Sequence, residues 1–414
     1  MFPDLLNGKK ILLGVSASIS VYKSLELIRL LVKSGAEVRV VMSESAKRFI
    51  TPLTFETISM NKVLHADSEA WDKDLNHIKI GEWADLFVIA PASANTIAKL
   101  SNAIADNLLL QTALAYPHEK LLCPAANTNM MNNPIISHSM KMLALSNYTV
   151  MNTQTKLLAC NTKGDGALID IEDIYFQTCQ MLLKEEFWTN RRVIVTGGGT
   201  IEKIDDVRYL SNFSSGKMGS SLALALFFKG ADVSFISSAF PERLPQAMYQ
   251  ISVESSEEML EYLTDSIRAA KKGRMGDADP EPIQKKPFVF MAAAVSDYIP
   301  AFPQHGKVKK SDIGEQWSLE LKENSDLLSS IDKEGIYTIG FKAEMDKSKG
   351  LDNAKAMLEK KGLNAVCYNL LKDSSSFATS DNALEFITKE KQTSLPRQDK
   401  LSLSLKLAEL CKSL

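Results

Sequence analysis

VTGGGTIEKIDDVRYLSNFSSGKMG, residues 195–219, sets three glycines at the end of a hydrophobic run and a second small-residue turn, Ser214-Ser215-Gly216, shortly after it. Glycines at a strand end let backbone amides approach a phosphate, because no side chain stands between them. VIVTGGG (193–199) reads as a buried strand, the stretch from Met218 to Lys229 as a helix, and ADVSFIS (231–237) as the next strand. That succession opens a doubly wound α/β sheet, whose ligands bind beyond the carboxyl ends of the strands. The spacing is not G-x-x-x-x-G-K-[ST], so Gly216-Lys217 does not make a P-loop.

A second such beginning lies nearer the start, in KKILLGVSASISVYKSLELIRLLVKSGAEVRVVM (9–42). ILLGV (11–15) is a strand, Ser24 to Lys33 repeats Leu and Ile at helical spacing, Gly35 stops the helix, and AEVRVVM (36–42) is the next strand. DLFVIAP (85–91) and EKLLCPA (119–125) repeat the pattern, with one helix-like segment, TIAKLSNAIADNLLLQTALA (96–115), between them. The strand ends carry GVSAS, MSESA, APASANT and PAANTNMMNNP, a lining of neutral donors. In the second half PFVFMAAAVSDY (287–298), YTIGFKAE (337–344) and NAVCYNLL (364–371) read as further strands, and KKGRMGDADPEPIQKK (271–286) as a surface loop. The expectation is an α/β protein of two tandem Rossmann-like domains with mostly parallel sheets, 1–188 and 189–414. The halves are not recognisable repeats, because their glycine and serine spacings differ.

Composition narrows the partners. The 48 basic and 50 acidic residues nearly cancel, so no net field favours nucleic acid or an anionic membrane. No apolar stretch reaches the roughly 18–20 residues that span a bilayer, and MFPDLLNGKK lacks a signal-peptide core, so a cytoplasmic location is expected. The five cysteines, Cys123, Cys160, Cys179, Cys367 and Cys411, are scattered without metal-type spacing, which argues against a disulfide framework or a zinc site.

The first glycine turn lacks G-x-G-x-x-G, and MSES offers hydroxyls where a ribose-binding carboxylate would close the second strand. A monophosphate held by hydroxyls and amides fits better, which points to flavin mononucleotide (FMN) rather than NAD. His77 (in LNHIKI), Asn127 (in PAANTNMM) and Cys160 (in the flap-like KLLACNTKGDGAL) follow in order along the chain. Singly, each has an ordinary reading: a structural histidine, a helix cap, an inert thiol.

Together with APASANTIAKL, this set resembles the flavin-dependent cysteine decarboxylases, whose fold is flavodoxin-like. From about residue 8 to the C-terminus the chain is similar to the bifunctional phosphopantothenoylcysteine decarboxylase/phosphopantothenate–cysteine ligase family of bacterial coenzyme A synthesis. The resemblance implies that Ala17, Ser18, Ser43, Ser93, Asn95, Thr96 and Ala125 line the flavin site. It implies that His77 assists proton removal while the substrate's cysteinyl side chain is oxidised, and that Asn127 holds the substrate carboxylate by neutral hydrogen bonds. The thioaldehyde so formed delocalises the carbanion left as carbon dioxide departs, and Cys160 returns a proton. Ala126, Met131, Asn161 and Ala167-Leu168 depart from the family's Met, Trp, Gly and Arg at these places.

For the second half the resemblance implies a ligase that activates 4′-phosphopantothenate with CTP and Mg²⁺. The pantothenate carboxylate attacks the α-phosphate to give an acyl-cytidylate and pyrophosphate, and the amine of cysteine then displaces CMP. Ser214, Ser215 and Gly216 match phosphopantothenate-phosphate contacts, and Arg208 and Asn212 match residues that manage the acyl intermediate. Ala293, Asp297, Phe341 and Lys361 match the nucleotide site, with Asp297 toward the metal. Lys307, in GKVKK (306–310), would offset charge on the α-phosphate, while Met357 stands where a lysine is expected. The resemblance also implies a homo-oligomer, a dodecamer of decarboxylase trimers and ligase dimers with flavin at subunit boundaries. Three other readings stay open: one half degenerate, a flavin-bearing regulatory subunit, or an NAD(P)-dependent reductase.

Overall fold

The computed structural model describes residues 2–73, 75–157, 163–272, 285–346, 348–371 and 379–414. The chain forms two compact units, Met1–Leu183 and Lys184–Leu414. The division falls ahead of the expected 188/189 boundary, and the reason is packing. Trp188 is fully buried within the C-terminal unit, its ring 5.0 Å from that of Phe288, and the Arg191 guanidinium lies 4.0 Å over Phe187.

The N-terminal unit is built on strands β1 (Lys10–Val15), β2 (Glu37–Met42), β3 (Val63–Leu64), β4 (Leu86–Ala92), β5 (Lys120–Pro124) and β6 (Tyr148–Val150). They lie in the order β3-β2-β1-β4-β5-β6, and every neighbouring pair is parallel. Parallel strands are covered on both faces, which is why β4 reads as an unbroken small and apolar run. Helix Val21–Lys33 turns Val21, Ser24, Leu27, Ile28 and Leu31 inward at helical spacing. The single helix expected over 96–115 is two, Ala94–Ser101 and Leu108–Ala115. Ala103 takes a left-handed φ of 55°, and Asn107 caps the second helix by accepting the Leu110 N–H at 3.2 Å. β7 (Gln154–Leu157) and β8 (Lys163–Ala167) form an antiparallel hairpin apart from the main sheet.

The C-terminal unit repeats this plan. Its strands are β9 (Arg192–Gly197), β10 (Glu202–Lys203), β11 (Tyr209–Leu210), β12 (Asp232–Ser237), β13 (Tyr249–Ser252), β14 (Phe288–Met291) and β15 (Tyr298–Pro300). There follow β16 (Leu321–Glu323), β17 (Tyr337–Glu344), β18 (Ala365–Leu370), β19 (Asp381–Ile387) and β20 (Gln392–Asp399). The main sheet runs β13-β12-β9-β14-β17-β18-β19-β20, parallel through β18 and antiparallel in its last two pairings. YTIGFKAE is a strand over its full predicted length. The strand expected over 287–298 stops at Met291, where the ladder is interrupted and the Ala293 N–H donates to Thr196 Oγ1 at 3.2 Å; Ala294 then makes a single parallel bridge to Gly199. Helix Lys400–Cys411 closes the unit. Among the described residues no helix is long and apolar enough to cross a membrane.

Candidate active sites

Each sheet has a switch point, between β1 and β4 and between β9 and β14, where the strand order departs in both directions from the first strand of the unit. A doubly wound sheet opens a crevice there, and each unit holds a cavity lined by the residues that follow these strands.

The N-terminal cavity, about 940 Å³, falls within the roughly 300–1,000 Å³ typical of small-ligand sites. Buried Ser16 fixes its floor: its hydroxyl donates to Pro91 O at 2.8 Å and accepts the Ser93 N–H at 2.9 Å, tying the ends of β1 and β4 together. Ser93 caps helix Ala94–Ser101 through the Thr96 N–H. Ser18, Ser20, Ser43, Ser45, Asn95 and Thr96 give the wall hydroxyls and an amide, and helix Val21–Lys33 begins there with no side-chain cap bond on its amides. The carboxylates at the rim are already matched, Glu44 with Lys47 at 2.8 Å and Asp106 with Lys99 at 2.5 Å. Burial pushes the Glu44 carboxyl up, but the hydrogen bonds from Lys47 and the Ala66 N–H and the charge of Lys47 together outweigh it and leave the carboxyl below its usual range. Such a donor set fits the phosphomonoester and polar ring edge of FMN, and Ser43 at the end of β2 gives no carboxylate for a second ribose.

The cavity brings together Ala17, Ser18, Ser43, Ser93, Asn95, Thr96, Ala125 and Asn127. Asn127 also caps helix Thr128–Met131, its side-chain oxygen accepting the Asn129 N–H at 2.9 Å. His77 is not in this lining; helix Lys79–Trp83 separates it from β4. Its Nδ1 lies 2.8 Å from Glu69 Oε1 and its ring stands edge-on to Trp71 at 5.5 Å. A proton held on Nδ1 by Glu69 leaves Nε2 as the basic atom. Cys160 lies outside the described residues. The hairpin that flanks it is seated on the site: Ala126 N–H donates to Gly166 O at 3.0 Å, and a Cβ on Gly166 would stand 2.2 Å from Ala126 O.

The C-terminal cavity, about 660 Å³, has a different chemistry. The glycine turn after β9 is required by close approach: Gly198 has φ +77°, and a Cβ there would meet Ser238 Oγ at 2.2 Å. Gly216, at φ +71°, starts helix Lys217–Phe228 with no side-chain cap. Ser214, Ser215, Gly216, Ala293, Asp297, Phe341 and Lys361 all line the cavity, as does Met357. Lys217, Lys342 and Lys400, which the sequence reading did not assign, line it too. Lys361 Nζ lies 2.7 Å from Asp326 Oδ2, and that contact helps hold the Asp326 carboxyl down against the upward push of burial. Asn324 braces the wall by donating to Ser296 O at 2.8 Å and to Ser256 Oγ at 3.0 Å.

Arg208, Asn212 and Lys307 stand outside the lining. Asn212 is adjacent to it, donating to Val295 O at 3.0 Å. Arg208 lies 4.7 Å over the Trp317 ring, ion-pairs with buried Asp205 at 3.4 Å and donates to Val308 O at 2.6 Å. Asp205 in turn accepts the Val308 N–H at 3.2 Å, so the loop bearing exposed Lys307 is bound to the IDDVR turn. Among the described residues no three His, Cys, Asp or Glu side chains cluster to hold a metal. Asp297, Glu323 and Asp326 nonetheless give the cavity carboxylate oxygens, the donor type that Mg²⁺ takes alongside phosphates.

Fold and cavities together define a two-domain flavoprotein with a second, nucleotide-type site. The Flavoprotein family profile matches residues 3–183, and that of the DNA/pantothenate metabolism flavoprotein C-terminal domain matches residues 188–414. The coenzyme A biosynthesis bifunctional protein CoaBC of Haemophilus influenzae is 34% identical over 408 residues, covering 97% of this chain and 96% of that protein. Its counterpart in Vibrio cholerae is 34% identical over 407 residues, covering 96% of each chain. A solved phosphopantothenoylcysteine (PPC) decarboxylase mutant, complexed with pantothenoylaminoethenethiol, is 30% identical with a TM-score of 0.37, covering 41% of this chain and 96% of that one. The chain belongs to the family of bifunctional coenzyme A biosynthesis proteins.

Proposed function

We propose that this chain makes phosphopantothenoylcysteine from 4′-phosphopantothenate, cysteine and CTP in its C-terminal unit and decarboxylates it to 4′-phosphopantetheine in its N-terminal unit. The observation that carries the reading is a cavity at the switch point of each sheet, the N-terminal one walled by hydroxyls and amides beside Lys23, Lys99 and Lys156, the C-terminal one holding four lysines and three carboxylates.

FMN, when bound, supplies reversible two-electron oxidation of the cysteinyl side chain. Ser18, Ser43, Ser93, Asn95 and Thr96 would hold it, with Ala17 and Ala125 leaving room for its flat ring. Asn127 holds the substrate carboxylate by a neutral amide, which stabilises that charge less than a salt bridge would and so eases its loss. His77, oriented by Glu69, takes a proton at Nε2, and Cys160 returns one from its thiol. In the ligase step the pantothenate carboxylate oxygen bonds to the α-phosphorus as pyrophosphate leaves with its electron pair. The cysteine nitrogen then bonds to the acyl carbon as CMP leaves. The lysines of the cavity would offset the charge that builds on the phosphates, and Asp297 would hold the Mg²⁺ that accompanies CTP; Lys307, toward the α-phosphate, and Arg208 and Asn212, on the acyl intermediate, would act from the cavity's edge.

The fuller reading is a cytoplasmic dodecamer of N-terminal trimers and C-terminal dimers, in which a neighbouring copy brings His77 to each flavin cavity. The place of His77 outside its own cavity supports it. Mass analysis of the products formed from phosphopantothenate, cysteine, CTP and magnesium tests the whole reading. Product heavier by the cysteinyl unit, then lighter by carbon dioxide, is expected; no change with an oxidised flavin present would refute it.

A further inference from the structure

Helices Lys217–Phe228 and Lys400–Cys411 run side by side in one direction. Just past the carboxyl end of the first, Lys229 Nζ lies 2.7 Å from Glu409 Oε1 near the carboxyl end of the second. At the other end both first residues, Lys217 and Lys400, line the same cavity. Two helix amino ends, each carrying partial positive charge, therefore converge on it.

Lys400 is the unusual member. It is only 6% exposed, its Nζ donates to Thr379 O at 2.5 Å, and among the described residues no carboxylate stands at ion-pair distance from it. Burial and then the charge of Lys217 push its pKa down. A buried ammonium with a single neutral acceptor destabilises a fold, and an apolar side chain of like length would fill the space better. Such a group is retained where an anion arrives to complete it.

We propose that Lys400, with Lys217 and the backbone of Ser214-Ser215-Gly216, binds a phosphate group of one of the two phosphorylated ligase substrates. The inference rests on the ligase reading given above. The chemistry is common to the phosphomonoester of phosphopantothenate and the triphosphate of CTP, and kinetics separate them.

In the full-length protein, Lys400→Met should raise KM for one of these substrates by roughly tenfold or more, the loss expected for one charge-assisted hydrogen bond. The substrate affected identifies the phosphate. The melting temperature should hold or rise, and carbon dioxide release from phosphopantothenoylcysteine should be unchanged. Lys400→Gln, which can still donate to Thr379 O, should show the same KM rise. Normal KM values in either variant, or a fall in melting temperature with both KM values intact, would make Lys400 a structural tie and overturn the proposal. Calorimetric titration of phosphopantothenate and of CTP, without turnover, separates the two claims. If the wild type binds either ligand and Lys400→Met does not, this inference stands even where no ligated product forms.

Discussion

The two sheets lay their first six strands in the same order, yet the cavities at their switch points differ in the balance of neutral and charged groups. In the N-terminal unit the residues after the strands are mainly Ser, Thr, Asn and Ala; of the charged lining, Lys99 is paired with Asp106, Lys156 with Asp170 and Glu44 with Lys47, and Lys23 stands beside them. In the C-terminal unit four lysines and three carboxylates, Asp297, Glu323 and Asp326, enter one smaller cavity. A flavin site must favour neither ionic form of its cofactor strongly, whereas a nucleotidyl transfer needs fixed charge where charge builds. Topology thus decides where a ligand binds, and a few strand-end residues decide what happens to it.

A pair of variants tests that separation most severely. Cys160→Ser should lower turnover to 4′-phosphopantetheine by about 10²–10⁴-fold, stalling after carbon dioxide has left with the flavin bleached, since a hydroxyl is a far weaker acid than a thiol, and leave pyrophosphate release intact. Lys307→Gln should do the reverse, lowering pyrophosphate release by roughly a hundredfold while carbon dioxide release persists. Both outputs would be measured on each protein. Equal loss of both in either variant would break the comparison, and normal ligation by Lys307→Gln would make GKVKK an ordinary solvated loop.

A smaller effect is expected from Gly166→Val. The residue sits at φ +150°, and its new Cβ would collide with Ala126 O, so the β7–β8 hairpin must lift from the wall that carries Asn127. Decarboxylation should fall about tenfold or more, because slight misplacement of positioned groups is costly, with ligation unchanged. An unaffected decarboxylase would show that the seating of the hairpin is irrelevant to the site.

Smallest is the effect of Lys120→Met, at the opposite end of β5 from the cavity. Lys120 is buried between Tyr148 and Tyr116, at 4.9 and 5.4 Å from their rings, and burial lowers its pKa to about 8. The unfolded chain, with the ordinary value of 10.5, binds more protons between those limits. Stability of the N-terminal unit should therefore rise as pH climbs from about 8 toward 10.5. Lys120→Met should raise the melting temperature at neutral pH and flatten that rise, with flavin content unchanged. A lower melting temperature would mean that the ring contacts outweigh burial.

Much of this was legible in the sequence because it is local. Buried parallel strands are short apolar runs, and the groups that follow them are the site, so Ser93, Asn95, Ser214 and Asp297 could be found by reading past each strand. Lys342 and Lys400 could not. The first looks like an outward residue in an alternating strand, and the second begins a helix behind an antiparallel hairpin that only long-range pairing sets against the cavity. The break at 102–107 was hidden because Asn and Asp are tolerated inside a helix when no competing cap intervenes. His77 illustrates a different limit, since its order along the chain does not show that the fold sets it outside the cavity of its own unit.

The joint between the units has a practical side. Glu185 ion-pairs with both Lys229 and Lys412, Glu409 bridges the same two lysines, and Trp188 is sealed beneath Phe288. The segment that looks like a linker is thus a clasp fastening the start of the second unit to its own tail. A gene carrying the ligase alone would have to begin its reading no later than Lys184. One trimmed at 189 would lose the clasp and expose the aromatic floor, so the seam along which these two enzymes could part in evolution is only a few residues wide.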